Sequence, residues 1–150
     1  PHADRDERAA LAHLIEEDAP DSAPRDHAVF DGAAVGHKLI IYRINAPFFF
    51  GAAQKALSEI ATLRREVRVV ILDMGDVTML DMTALVALES IIVNLRKKQV
   101  MLIINNLQPR MRVKLRRAGI RRQRGSIEFT HNLREAVHAA QARTAVASTP

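Results

Sequence analysis

The chain contains neither cysteine nor tryptophan, and it has a single tyrosine among its 150 residues. The absence of cysteine excludes disulfide bonds, thiolate metal sites and a cysteine nucleophile, and it is compatible with a reducing compartment. Because only five phenylalanines supply further aromatic side chains, the core must be mainly aliphatic. A chain of this length fits one domain with a modest core.

Long apolar segments and the common short motifs of enzymes are also missing. No apolar run approaches the roughly 20 residues that a helix needs to cross a bilayer, and no signal peptide is apparent. The six histidines are scattered without HExxH-like spacing, and there is no GxGxxG or GxxxxGK[ST] phosphate loop. Ser58, Ser90 and Ser126 lie in no nucleophile elbow. We therefore expect no metal, no cofactor and no catalytic activity.

The charged residues are segregated along the chain. Residues 1–31 hold nine acids against three arginines, whereas no acid lies between Glu89 and Glu128. That second stretch contains a basic cluster of eight residues: Arg110, Arg112, Lys114, Arg116, Arg117, Arg121, Arg122 and Arg124. Such a cluster can be only a solvated face, but its density also suits anionic lipid, an acidic protein or nucleic acid. The run contains no aromatic residue that could stack on a base, which disfavours nucleic acid.

Short apolar runs alternate with helical patterns through most of the sequence. The patterns predict strands over residues 28–35, 38–44, 68–72, 100–104 and 127–129, with a short extended run over 47–50. They predict helices over residues 51–63, 83–98, 108–118 and 132–143, and a short one over 4–18. This alternation implies an α/β fold with a mixed, largely parallel central β-sheet and crossover helices.

The same patterns divide the chain into three parts. Residues 1–27 are predicted to form an acidic N-terminal arm or linker, residues 28–144 one folded domain, and residues 145–150 a disordered tail. The chain begins with Pro1 rather than methionine, which fits an excised piece or a processed end.

The segment from Val69 to Leu85 is the most informative. An apolar strand runs into an acid-and-glycine turn, and a second short apolar run ends at Asp81, where a helix begins. Asp81 is the predicted N-cap, a role worth about 1 kcal/mol, and a capping role is also predicted for the Thr83 hydroxyl.

Because a helix N-terminus at a sheet edge favours anions, we predict a switch or cap loop here. Its residues are Asp73, Asp76, Asp81, Met82 and Thr83. Coordination of Mg²⁺ with a nucleotide by these acids is the alternative.

The helix after Asp81 carries more apolar surface than one face requires. Leu85, Leu88, Ile92 and Leu95 form a stripe that can pack on the sheet. Met82, Val86 and Val93 form a second stripe, interrupted by Glu89. We refer to these last four residues as the α2 flank, α2 being the helix predicted over residues 83–98. The flank is either additional core or a partner-binding surface, for which methionine and valine are suited.

These residues also carry a family resemblance. The Asp81-Met82-Thr83-Ala84-Leu85 run resembles the Asp-x-[Ser/Thr]-[Gly/Ala]-Leu signature of the STAS domain. Upstream, residues 39–53, which include Pro47-Phe48-Phe49-Phe50-Gly51, are similar to the cytosolic STAS domain of SulP-type anion permeases. Residues 107–109 and 117–120 also fit, so that the resemblance extends over residues 37–141.

The resemblance implies a non-catalytic, cytosolic regulatory domain of a sulfate-like anion transporter at the inner face of the plasma membrane. Its expected partners are the transmembrane domain of the same transporter, a second STAS domain or an acidic soluble protein, with possible contact to anionic lipid. The alternative within the family is a free-standing anti-sigma-factor antagonist. In those proteins a phosphorylated serine follows the aspartate, whereas this chain has Met82 there. A small nucleotide-binding or hydrolysing domain is a third hypothesis, which no phosphate loop supports.

Overall fold

The computed structural model describes residues 30–44 and 50–147. Within them the strands are β1 (Phe30–Val35), β2 (Leu39–Ile44), β3 (Val69–Asp73), β4 (Met101–Asn105) and β5 (Ile127–Thr130). The helices are α1 (Phe50–Ala61), α2 (Met82–Lys97), α3 (Pro109–Arg117) and α4 (Leu133–Ala147). None of these helices is long and apolar enough to cross a membrane.

The five strands form one sheet in the order β1-β2-β3-β4-β5. A turn at Gly36, which has a φ of 66°, joins β1 to β2, and these two strands are antiparallel. All other neighbouring pairs are parallel. The predicted mixed, largely parallel α/β sheet is therefore confirmed.

The sheet separates two apolar layers of different size. Along β3, Val70 and Leu72 belong to the larger layer, which α1, α2 and α3 cover. Val69 and Ile71 alternate with them and belong to the smaller layer under α4. The two layers together cover both faces of the sheet, so that β3 and β4 are buried along their whole length. Parallel strands are usually buried in this way.

Local chemistry sets the ends of the helices. Helix α3 has Pro109 at its start, where the missing N–H costs nothing. It ends in a Schellman motif, in which Gly119 (φ 85°) donates to Arg116 O at 3.0 Å and Ile120 donates to Leu115 O at 2.8 Å. Ile120 and Leu115 are both buried, which provides the apolar contact that accompanies this motif.

Two predicted boundaries differ from the structure. Phe50 was expected in an extended run but is the first residue of α1, since the helical backbone begins one residue before the predicted start at Gly51. Residues 145–147, which were expected in a disordered tail, are instead the last residues of α4. The predicted arm, the helix over 4–18, residues 45–49 and residues 148–150 lie outside the described residues.

Candidate functional site

The predicted switch or cap loop lies at the carboxyl edge of the sheet, between the end of β3 and the start of α2. Strand register places Asp73 beside Arg43 on one side and Asn105 on the other. In open α/β sheets this edge is where ligands bind. The structure therefore places the loop where a binding or regulatory role is geometrically feasible.

Asp73 is engaged in structural contacts. Its side chain is buried, and its Oδ2 lies 3.3 Å from Arg43 Nε in an ion pair. Its Oδ1 accepts a hydrogen bond from Gly75 N at 3.2 Å. Asp76 and Asp81, in contrast, are exposed. Among residues 30–44 and 50–147, no group of three or more histidine or acidic side chains is arranged to hold a metal ion.

Two buried polar residues beside this loop were missed by sequence reasoning. Thr130 Oγ1 donates to Asn105 Oδ1 at 2.7 Å, and both residues are buried at the ends of neighbouring strands. Asn105 Nδ2 has no hydrogen-bond partner among the described residues. The sequence offered one signal, since Asn105 directly follows the predicted apolar strand over residues 100–104. It could not show that Asn105 pairs with Thr130, because the two residues are 25 positions apart.

Asp81 caps α2 as predicted. Its Oδ1 accepts a hydrogen bond from Ala84 N at 2.8 Å, and its backbone is extended. The predicted capping role of Thr83 is wrong, because the helix already begins at Met82 and Thr83 lies in its first turn. Thr83 is instead an exposed hydroxyl near the positive end of the helix dipole.

The α2 flank is solvent-exposed in the structure. The exposed fraction is 73% for Met82, 54% for Val86 and 49% for Val93, and Glu89 is also exposed. The opposite face of α2 packs into the core through Ala84, Ala87, Leu88, Ile91, Ile92 and Leu95. Met79, which is 55% exposed, extends the apolar surface before the helix and was not singled out from the sequence. The flank is therefore not additional core, while its role in binding a partner stays a prediction.

The basic cluster does not form one uniform surface. Arg112 lies over the ring of Phe129, 4.4 Å from its centroid, so an aromatic residue distant in sequence joins the cluster. Lys114 Nζ donates to Leu80 O at 3.4 Å. Arg122 forms an exposed ion pair with Glu128 at 2.6 Å, and the pKa of Arg122 is raised by its hydrogen bond to Glu128.

The other five members of the basic cluster are exposed and have no acidic partner among the described residues: Arg110, Arg116, Arg117, Arg121 and Arg124. Arg112 and Arg116 also line a groove of about 310 Å³ together with Phe129 and His131. The predicted lipid- or anion-binding role of the cluster stays a prediction, and it now concerns mainly these five residues.

Several solved structures are similar to this fold. A sulfate transporter family protein from Wolinella succinogenes has a TM-score of 0.64 and 25% identity, covering 71% of this chain and 88% of its own. The STAS domain of a SulP transporter from Vibrio cholerae has a TM-score of 0.58 and 21% identity, covering 89% and 98%. The unphosphorylated anti-sigma factor antagonist SpoIIAA has a TM-score of 0.60 and 15% identity, covering 75% and 97%.

Sequence comparison agrees with the structural similarity. No curated protein matches the chain in sequence. The STAS domain family, in contrast, matches residues 33–140, which contain the sheet from Ala33 onward, the capped helix α2 and the basic cluster. Because this match covers well over half of the chain, the protein belongs to the STAS domain family.

Proposed function

We propose that the chain is a non-catalytic regulatory domain of a SulP-type anion transporter, located at the cytoplasmic face of the plasma membrane. The observation that carries the proposal is Met82 at the first position of α2, directly after the capping Asp81. A thioether cannot accept a phosphoryl group, so a phosphorylation switch at this position is chemically impossible. Identity of 25% with a sulfate transporter family protein supports the transporter context.

The α2 flank is the surface that we propose for contact with the transmembrane part of the same transporter. Its methionine and valine side chains lie at helical spacing and are exposed together. Covering an exposed apolar surface of this kind with a partner lowers the free energy of the complex, because apolar area is removed from water. A second STAS domain or an acidic soluble protein are the other partners compatible with the fold.

Charge substitutions in the α2 flank test this role. In the transporter that carries this domain, the double variant Val86→Glu, Val93→Glu is expected to lower anion uptake or change its regulation, because two carboxylates would be buried without partners. Uptake of labelled anion into cells, at matched surface expression, provides the measurement. Gln54→Glu, Gln141→Glu, which adds the same two negative charges at exposed helix positions outside the flank, is the matched control.

The stability of the isolated domain separates the possible outcomes. The flank variant is expected to unfold within about 0.5 kcal/mol of wild type, as is usual for surface substitutions. Unchanged uptake with normal stability would contradict a role for the flank. A gene that encodes no apolar segments before this domain would contradict the transporter context altogether.

The five bases of the basic cluster that have no acidic partner among the described residues suit the anionic inner leaflet of a membrane, which we propose as a second contact. Each lysine or arginine close to such a surface contributes on the order of 1 kcal/mol, and this contribution decays within a Debye length. A membrane-associated domain would hold these bases near the lipid without requiring a specific pocket.

An anti-sigma-factor-antagonist-like protein is the second candidate, and the exposed hydroxyl of Thr83 favours it. Phosphate on Thr83 would lie near the N-terminus of α2, where negative charge is stabilised. We expect no phosphorylation in this loop when the chain is incubated with ATP and candidate anti-sigma kinases. Intact mass and peptide mapping provide the measurement, with Met82→Ser as the matched positive control. Stoichiometric phosphate on wild-type Thr83 would favour this second function.

A further inference from the structure

A large basic groove lies at the amino edge of the sheet, opposite the switch or cap loop. It has a volume of about 610 Å³. Three consecutive strands begin at its base, since Arg68, Val100 and Ser126 directly precede β3, β4 and β5. Its size falls within the range of about 300–1,000 Å³ that is typical of small-molecule sites.

Three arginines from three different elements line this groove. Arg68 lies just before β3, Arg96 in the last turn of α2, and Arg143 on α4. The other polar side chains of the lining are those of Gln99, Gln123 and Ser126, so no carboxylate is among the described lining residues. Because arginine keeps its charge at any physiological pH, the groove carries a concentrated positive charge that none of its described lining residues balances.

The structure positions Arg96 without neutralising it. Arg96 Nε donates to Ser126 Oγ at 3.4 Å, and Arg96 Nη2 donates to Gln123 Oε1. Both acceptors are neutral, so the guanidinium is oriented while its charge stays available.

The backbone around the groove is also fixed. Arg68 N donates to Lys38 O at 2.8 Å, and Arg68 O accepts from Met101 N at 2.9 Å, which continues the ladder from β2 to β4. Arg143 Nη1 lies close to Gly125, 4.0 Å from the position that a Cβ would take there. Gly125 has a φ of 78°, which glycine adopts without strain.

Gln99 lies at the end of the helix beside the groove. It follows Lys98, the C-cap of α2, with a left-handed φ of 58°. Gln99 N donates to Arg96 O at 3.0 Å and Val100 N donates to Leu95 O at 2.9 Å, which is the Schellman pattern that also ends α3. The positive φ is therefore explained by the helix end, and Gln99 adds a polar side chain to the groove lining.

We propose that this groove binds the phosphate group of a phosphorylated small molecule or of a phospholipid headgroup. Guanidinium groups match the geometry of phosphate oxygens and can bind them in a bidentate manner. The amide and hydroxyl side chains of Gln99, Gln123 and Ser126 would contact the rest of the polar ligand. The role is separate from that of the α2 flank and extends beyond the function proposed above.

Inorganic pyrophosphate is the soluble probe for the test. Isothermal titration of the full chain at constant ionic strength is expected to show one site in the wild type. The double variant Arg68→Gln, Arg143→Gln is expected to weaken binding at least tenfold. Lys55→Gln, Arg134→Gln removes the same charge from exposed positions of α1 and α4, outside both the groove and the basic cluster, and is expected to change affinity less than twofold.

A vesicle experiment distinguishes the two sources of phosphate. Sedimentation with vesicles that contain a phosphoinositide, repeated with the same variants, reports on the headgroup. Loss of vesicle binding in Arg68→Gln, Arg143→Gln would assign a headgroup, whereas soluble binding without vesicle binding would assign a free phosphorylated ligand.

Two results would overturn the proposal. One is that neither probe binds more tightly than chloride at equal ionic strength. The other is that both double variants lose affinity equally, which would indicate diffuse surface charge. Far-UV circular dichroism of each variant verifies the fold, and Arg68→Lys, which keeps the charge but loses the planar fork, is expected to bind with intermediate affinity.

Discussion

Replacing Leu88 with alanine is expected to lower the free energy of unfolding by about 3 kcal/mol. Leu88 lies on the buried face of α2, with no exposed surface, in the larger apolar layer. Truncation removes buried methyl groups and leaves a cavity, and such substitutions cost roughly 2–5 kcal/mol. Urea denaturation followed by far-UV circular dichroism measures the change, because the chain has no tryptophan to report by fluorescence.

Val86→Ala is the matched control, two residues away on the exposed flank of the same helix. It is expected to change stability by less than about 0.5 kcal/mol, since little area becomes exposed and alanine is the better helix former. Similar losses for both variants would contradict the assignment of the two faces of α2. A gradual transition in the wild type, without cooperativity, would contradict a single folded domain.

Raising the pH from 10 to 12 is expected to remove about 2 kcal/mol of stability through one side chain. Burial, together with a smaller effect of the nearby charge of Glu59, raises the pKa of Tyr42 from its ordinary value of 10.0 to about 12. Below pH 10 the phenol is neutral in both states and the full stability is present. Between pH 10 and 12 the unfolded chain ionises first, so stability falls as pH rises.

The pKa of Tyr42 can be measured without interference from other aromatic residues that titrate or absorb in the same range. Tyr42 is the only tyrosine and tryptophan is absent, so phenolate absorbance near 295 nm reports one group alone. Urea denaturation at a series of pH values supplies the stability, and Tyr42→Phe is the control whose pH dependence is expected to be flatter over this range. Titration of native Tyr42 near pH 10, as in the unfolded chain, would contradict the buried environment.

Much of this fold could be predicted because the chain obeys simple periodicities. The apolar run at residues 69–72 has no polar interruption, and the structure places a buried strand at Val69–Asp73. Asp81 precedes a helical pattern, and its side chain caps α2. These features are local, so that a few neighbouring residues determine them.

The candidate sites could be predicted only in part, because they are built from contacts between residues that are distant in sequence. Asp73 was expected in a loop, whereas Arg43, 30 residues earlier, pairs with it at the end of a strand. Phe129 joins the basic cluster through Arg112 although they are far apart in sequence. For the groove at the amino edge, the position of Arg68 directly before a strand was a usable signal. Arg96 and Arg143 converge on it only through the packing of α2 and α4.

The unequal covering of the sheet has a consequence for biosynthesis. Among the described residues, α4 is the helix that packs on the smaller apolar layer, where Ala136 and Ala140 are buried. A nascent chain that has already paired β3 with β4 would thus display Val69, Ile71 and Ile103 to the cytosol until residues 133–147 leave the ribosome. During that interval the sheet is a target for chaperones and for aggregation. Slow translation just before α4 should consequently reduce the yield of folded protein more than the same delay after it.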